Sequence, residues 1–402
     1  MALKTNNSAV AIAIQSVVDT FLTPTQPGDL MPVSNCRLSI NGVTVANDEY
    51  TGSPFKNADS VAGKKVQLSY NVKLRPPGGT LPAANAFLIG RILQAAKFTE
   101  VRTATAIPAA AEAVAAGGTT TMAVLSTGAA ATLDIYKGMA LLLKALGTTF
   151  KDQLTAIRSY SVAKNAVIPM TAGAAITTGN YQIPTQLGYM RDVSSADPIL
   201  ISQQVWLDGH RYDLMNCRIS GLQIVVPTST RDQAAFPELQ VTWDCMISAN
   251  SANSTPSVAS LGAIPLYKDG EFWLANSQLG SQTFTVDLGL QTESPPNPNK
   301  TDGSDAAEVV GGVAKVSMTR QKYLPATIDT LALADAQSNQ SFFAQWGNGT
   351  GGGMVQIFVP DGRLDYQTPD TGGNIIMESG DLLIDALTKS VCITFPYGTA
   401  VA

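Results

Sequence analysis

Residues 65–74 read Lys65-Val66-Gln67-Leu68-Ser69-Tyr70-Asn71-Val72-Lys73-Leu74. Val66, Leu68, Tyr70, Val72 and Leu74 are apolar, and every residue between them is polar. A strand points successive side chains to opposite faces, so a period of two marks a half-buried strand. The pattern recurs along the chain. Leu239, Val241, Trp243 and Cys245 alternate with Gln240, Thr242 and Asp244, and Phe284, Val286 and Leu288 with Thr283, Thr285 and Asp287. Val391, Ile393 and Phe395 repeat it near the end. Antiparallel sheets with one face on a core and the other wet have this signature. The expected fold class is mainly β.

Helices are few. The apolar stripe Phe87, Leu88, Ile92, Ala95, Ala96 predicts a helix over 83–98 opened by Pro82, and a shorter one is expected over 327–338 after Pro325. Tyr136 to Leu146 is apolar enough for a third, but Gly138 and Gly147 bracket it. Strand-like segments follow at 154–161, 165–170 and 180–183. The whole stretch therefore reads as a small β module, entered through an Ala/Gly/Thr-rich linker over 104–121.

A coarser repeat overlies these elements. The first half runs strand (36–45), long polar loop, strand (66–74), proline, helix. The second runs strand (283–290), long polar loop, strand (314–320), proline, helix. The match is one of pattern, with very low identity. It divides the chain into a first lobe (1–104 with 191–255), an inserted β module (105–190) and a second lobe (256–402).

Of 402 residues only 14% are charged, against about a quarter in an average protein. Such a surface has little like-charge repulsion and suits close self-association. The net charge of −5 argues against a general nucleic-acid binder. Cys36, Cys217, Cys245 and Cys392 form no CxxC pair, so zinc and redox motifs are lacking and free thiols are expected. A cytoplasmic origin is the default. No apolar run is long enough to span a membrane. Residues 9–18 imitate a signal peptide but lack a small-residue cleavage site, so secretion is not expected and the sequon at Asn348 carries no weight.

The search for chemistry is empty. The single histidine, His210, follows Asp208-Gly209, a favoured hairpin pair, and no nucleophile motif accompanies it. Residues 347–353 are glycine-rich but precede a strand and contain no lysine, so they read as a hairpin tip and not a phosphate loop. Asp361, Asp365 and Asp370 read as turn residues, too widely spaced for calcium. No catalytic, cofactor or metal residue is expected.

Over most of its length the sequence resembles the major tail tube proteins of long, non-contractile-tailed bacteriophages. The resemblance rests on order and spacing: Val33 to Ser39, Ser53-Pro54, Val61-Ala62-Gly63, the 65–74 strand, Gly78-Gly79, and the helix ending at Ala96-Lys97-Phe98-Thr99-Glu100. It resumes at Gln204 to Gly209, Asn216 to Ser220 and Phe236 to Trp243, and continues more loosely over 265–400. Residues 119–185 are similar to small β modules within phage virion proteins. Arg75-Pro76-Pro77-Gly78 and the long insertion depart from the pattern.

The resemblance implies a virion structural protein, made in the host cytoplasm, that forms rings stacking into a conduit for DNA ejection. Implied partners are other copies of itself, tape measure protein and DNA in the lumen, and terminator and tip proteins at the tube ends. With about four strands from each lobe, six lobes make a barrel of roughly 24 strands, so three two-lobed chains suffice. A trimeric, pseudo-sixfold ring is favoured over a homohexamer. The long loops are the expected ring-stacking contacts: Asp48, Glu49, Tyr50, Phe55 and Lys56 in the first, Asn299, Lys300, Asp302 and Asp305 in the second. The module is expected outside the ring. Competing readings are a capsid decoration or tail-tip protein, and a carbohydrate-binding β-sandwich using Trp206, Trp243, Trp273 and Trp346, although alternation places Trp243 in the core.

Overall fold

A computed structural model of the chain describes residues 7–49, 55, 58–144, 152–194, 196–258, 262–268, 270–300, 302–347 and 352–397. Strands take 53% of the residues and helices 4%, so the fold is mainly β. The main-body strands are β1 (Ser8–Gln15), β2 (Ser34–Val45), β3 (Ser60–Lys73), β4 (Phe98–Thr103), β5 (Gln186–Arg191), β6 (Leu200–Leu207), β7 (His210–Pro227) and β8 (Glu238–Ala252). They continue as β9 (Ser281–Asp287), β10 (Ala314–Gln321), β11 (Asn339–Gly347), β12 (Met354–Leu364), β13 (Thr368–Asp370), β14 (Met377–Ile384) and β15 (Cys392–Pro396). Helix α1 is Leu88–Ala95 and α2 is Thr330–Ala336.

The front of the molecule is one antiparallel sheet in the order β2-β3-β8-β7-β9-β10-β14, closed off by the end of β12 running into β13. Each lobe supplies four strands, and the two sets share one topology. In chain order the first lobe's strands are β2, β3, β7, β8 and stack as first, second, fourth, third. The second lobe's β9, β10, β12–β13 and β14 stack identically. The repeat read from the sequence is thus matched by a repeat of strand order.

A back layer faces this sheet across the core. Its first-lobe part pairs β1 with β6 and β6 with the opening half of β7. Its other part runs β4-β5-β15-β12-β11 and on to Glu271–Leu274, so strands from before and after the module share it. β7 crosses between layers: its first half pairs β6 and its second half pairs β9, with register breaks near Cys217 and Ser220 where it bends. One apolar core joins both lobes, from Val10, Leu68 and Trp243 to Phe284, Phe342 and Ile393.

Several expectations need correction. α1 is half its expected length and Pro82 does not open it. Asn85 (φ 60°) and Lys97 (φ 67°) sit in left-handed conformations, which a helix cannot continue through. α2 begins at Thr330 because the Asp329 carboxylate accepts from the Ala332 N–H at 3.0 Å, and it ends where Gln337 turns left-handed. The supposed linker over 104–121 supplies strands Ile107–Ala113 and Ala115–Thr119 to the module's two small sheets. Gly118 is required by a close approach: a Cβ there would fall 1.9 Å from the Ile176 carbonyl oxygen. Residues 186–190, placed in the module, run in β5 of the main body. The alternation expected of β15 is absent because all its residues are buried, one face on the main core and the other under the module.

The Ala140–Lys144 strand replaces the helix that Tyr136 to Leu146 imitates. It lies between Gln153–Ala156 and Asn180–Ile183. The module docks on the back layer, on the side away from the front sheet. Phe343, Phe358, Cys392 and Trp273 turn outward and pack with module residues such as Leu141, Ile157 and Ile183. The approach is close enough that a Cβ on Gly138 would meet the Cys392 sulfur at 2.4 Å. Asp361 is a strand residue, not a turn: it receives Lys137 and Arg158 of the module, each at 3.2 Å.

Candidate functional site

The outer face of the front sheet is a broad polar surface ordered by strand register. Its rows follow from register. Asn71, Gln240, Gln223, Asp287, Lys315 and Leu383 lie side by side across six strands. The next polar row is Lys73, Glu238, Val225, Thr285, Ser317 and Asp381. Between them runs the buried row Val72, Leu239, Ile224, Val286, Val316 and Leu382, which faces the core. Period-two alternation on each strand, locked in register, thus gives a face of mixed neutral-polar and charged side chains, interrupted at Val225 and Leu383.

Two lysines on this face are neutralised in place, while Arg37 and Lys65 stand exposed on the same face. Lys73 pairs with Glu238 at 2.6 Å and Lys315 with Asp381 at 2.8 Å. The hydrogen bond to Asp381 holds the Lys315 ammonium above its ordinary value. Burial pushes the Asp381 carboxyl up, but the hydrogen bonds from Lys315 and Ser317 outweigh it and leave the group below the usual carboxylate value. Gln223 donates to Asp287 at 2.8 Å. Pairing lowers the grip of these two lysines on phosphate, since strong nucleic-acid binding requires cations free to neutralise it.

The sheet is open at both ends. Among the described residues β2 pairs only with β3, and β13 only with β14. Open edges present unpaired N–H and C=O groups that attract another strand. Apolar side chains stand exposed near both: Ile40 and Val43 at one end, Ile375 and Ile376 at the other.

The structure separates the two expected stacking loops. The first is an arm formed by the far ends of β2 and β3, where Val43 pairs Gly63, Thr44 pairs Val61 and Val45 pairs Ser60. Asp48, Glu49 and Phe55 on it are exposed, while Tyr50 and Lys56 lie outside the described residues. The second loop contains a ribbon, Leu290–Glu293 with Glu308–Gly312, and is tied to the first lobe. Lys300 bonds Asp19, Asp302 lies 3.5 Å from Lys64, and Thr292 donates to Asp244 at 2.7 Å. Buried Arg218 donates to the Ala307 carbonyl at 3.1 Å. Asp305 accepts from Asn297, whose side-chain oxygen also accepts from the Asn299 N–H. Residues 297–305 are thus engaged largely within the chain.

The sequence reading missed Asp19, Lys64 and Arg218, whose partners are distant in sequence. His210 opens β7 after a turn with both Asp208 and Gly209 at positive φ, as the Asp-Gly pair predicts. The strands flanking the glycine-rich segment pair at Gly347 and Met354, and residues 348–351 lie outside the described set. No His/Cys/Asp/Glu cluster able to hold a metal occurs among the described residues. Cys217, Cys245 and Cys392 are buried and Cys36 is half-buried; all four are free, and burial pushes the Cys36 thiol up to about 11 and Cys392 to about 12. All four tryptophans are buried, so none offers a stacking platform for a sugar. Among the described residues no helix is long and apolar enough to cross a membrane. No protein-family model matches the sequence, and no curated protein does.

Proposed function

We infer that the chain is the subunit of a ring-forming, stacking tube, the role of a phage major tail tube protein. One observation carries this reading: the junction between the two lobes is itself a template for a junction between chains. Within the chain, the fourth-placed strand of the first lobe, β7, pairs with the first strand of the second, β9, over Gln223–Pro227 and Thr283–Asp287. The equivalent strands at the two ends, β13 and β2, are open. Pairing β13 of one chain with β2 of the next repeats the internal junction. Repeating one rotation closes a ring and removes every edge.

Three copies of an eight-strand sheet give a barrel of about 24 strands, wide enough for an aqueous lumen. Two physical features support the same reading. Lys73 and Lys315 on the polar face are paired with carboxylates, which lowers its grip on passing DNA. The module is on the opposite layer, where it leaves such a lumen clear. Tape measure protein and DNA inside, with terminator and tip proteins at the ends, are the partners this role requires.

Electron microscopy of the purified protein tests it. Open-ended tubes or stacked rings, with three chains per ring by mass, are the expected result. A chain that stays monomeric at high concentration overturns the reading. Globular particles that bind only preformed capsids or tail tips would instead favour a decoration or tip protein.

A further inference from the structure

Three arginines are buried among the described residues. Two of them have partners in the chain. Arg320 pairs with Glu378, and Arg218 donates to the Ala307 and Pro198 carbonyls. Arg191, the last residue of β5, is the third, at 6% exposure. Its backbone is anchored: the N–H donates to the Val391 carbonyl, and its own carbonyl accepts from the Lys389 N–H. Its side chain makes no hydrogen bond and no ion pair among the described residues, and Nη1 is enclosed without an acceptor. Burial pulls the guanidinium below its ordinary value, and no neighbouring charge offsets that. Buried charges are as a rule paired, so the missing partner is to be sought outside the chain.

Arg191 lines a cavity of about 310 Å³ between the back layer and the loops that leave the front sheet. The ribbon contributes Leu290, Val309 and Gly311, the turn after β14 contributes Ala386, and Lys97 enters from just before β4. Donors outnumber acceptors here. The guanidinium has five N–H donors and the Lys97 ammonium three, of which one goes to the Ser194 carbonyl at 2.7 Å. Two carboxylates also line the cavity. Asp192 is engaged by its own loop, accepting from the Ser194 N–H and hydroxyl, both at 2.9 Å. Asp197 is exposed and pairs with neither cation, and its charge acts on Arg218 instead.

We propose that this cavity is a binding site for a small oxyanion of the phosphate or dicarboxylate class, held by Arg191 and Lys97. A surplus of donors calls for a ligand that only accepts, and a guanidinium matches phosphate and carboxylate oxygens with paired, charge-assisted bonds. A volume of about 310 Å³ is at the small end of ligand cavities, which suits a free molecule with one or two anionic groups. The walls come from β4 and β5, which flank the module in sequence, and from the second lobe's ribbon. A bound anion therefore holds the ribbon against the back layer. The site is independent of the tube reading and stands or falls without it.

Titration calorimetry on the full chain at fixed ionic strength tests it, with inorganic phosphate as one probe and malonate as the other. Saturable binding of one anion per chain is expected, with chloride silent at the same ionic strength. The stronger of the two probes identifies the class. Arg191→Gln is expected to weaken binding by about tenfold or more, and Lys97→Gln by a smaller factor. Lys315→Gln, on the front sheet outside the cavity, is expected to bind as the parent does. Melting curves establish which variants fold. Lys97 is half-buried, so its variant keeps the test decisive if Arg191→Gln does not fold. Amide exchange is a second readout: the bound anion is expected to slow exchange over residues 308–312 in the parent and less in Lys97→Gln. No saturable binding of either anion overturns the proposal. So does binding that the folded cavity variants leave at parental strength.

Discussion

Arg320 and Glu378 lie in the core of the second lobe, fully enclosed, with their charges 3.1 Å apart. Thr330 of α2 and Lys322 also donate to Glu378, so the pair joins β10, β14 and the helix. Removing one member of a buried pair leaves the other uncompensated, which costs about 3–5 kcal/mol. Glu378→Ala is expected to lose that much in urea unfolding, and Lys322→Ala, half-exposed, under about 1 kcal/mol. The pair was legible: Arg320 falls in phase with Ala314, Val316 and Met318, and Glu378 with Leu382 and Ile384. A charge in phase with core positions marks a buried partner, although its identity is set by sheet register that no local pattern reveals. Glu112 in the module gives a pH test. Thr127, the Gly128 N–H and Tyr181 all donate to its carboxylate, with Thr127 the largest influence, and hold it down at about 2. Its folded value is depressed, so its stabilisation is present above the ordinary carboxylate value and is lost as pH falls from about 4.5 toward 2. Melting curves of the parent and Glu112→Gln should therefore differ at pH 6 and converge near pH 2. Curves that keep the same gap at both pH values would count against that role.

At the level of elements, alternation located strands well wherever one face is wet, as in β3, β8, β9 and β10. It was silent at Ala140–Lys144, where both faces are covered, because a doubly buried strand has no polar phase; at β15 it located the strand but not the module that covers its second face. The module's dock belongs to this hidden class. Its apolar part is built from Phe343, Phe358 and Cys392, and its polar part from Asp361 with Lys137 and Arg158. Magnitudes decide which holds the module. Partly exposed ion pairs contribute about 0–1 kcal/mol, whereas truncating a buried phenylalanine costs about 3–5. Phe358→Ala is therefore expected to destabilise strongly and Asp361→Ala weakly, as read by chemical denaturation. Equal losses would mean that the ion pairs dominate. The loop tethers are of the weaker kind. Lys300→Ala should speed amide exchange over residues 297–305 and leave global stability within about 1 kcal/mol.

At the scale of the whole molecule, the repeated strand–loop–strand–helix pattern anticipated two lobes of one topology, but not which edges remain open. Edge identity depends on non-local pairing, and β13 is only three residues long. The same geometry sets the dimensions of an assembly. Strands in a closed barrel tilt by about 35–45° from its axis. A strand of about 45 Å then advances roughly 30–40 Å along the axis. Copies that stack end to end along such a barrel axis are therefore expected to repeat at about that rise. Power spectra of tube images measure this directly, and a layer spacing in that range is expected. A spacing beyond about 50 Å would leave front sheets of this length out of contact with one another. One below about 20 Å would force adjacent front sheets to overlap along most of their length. Either result would count against end-to-end stacking of these sheets, even if the rings themselves close through β2 and β13.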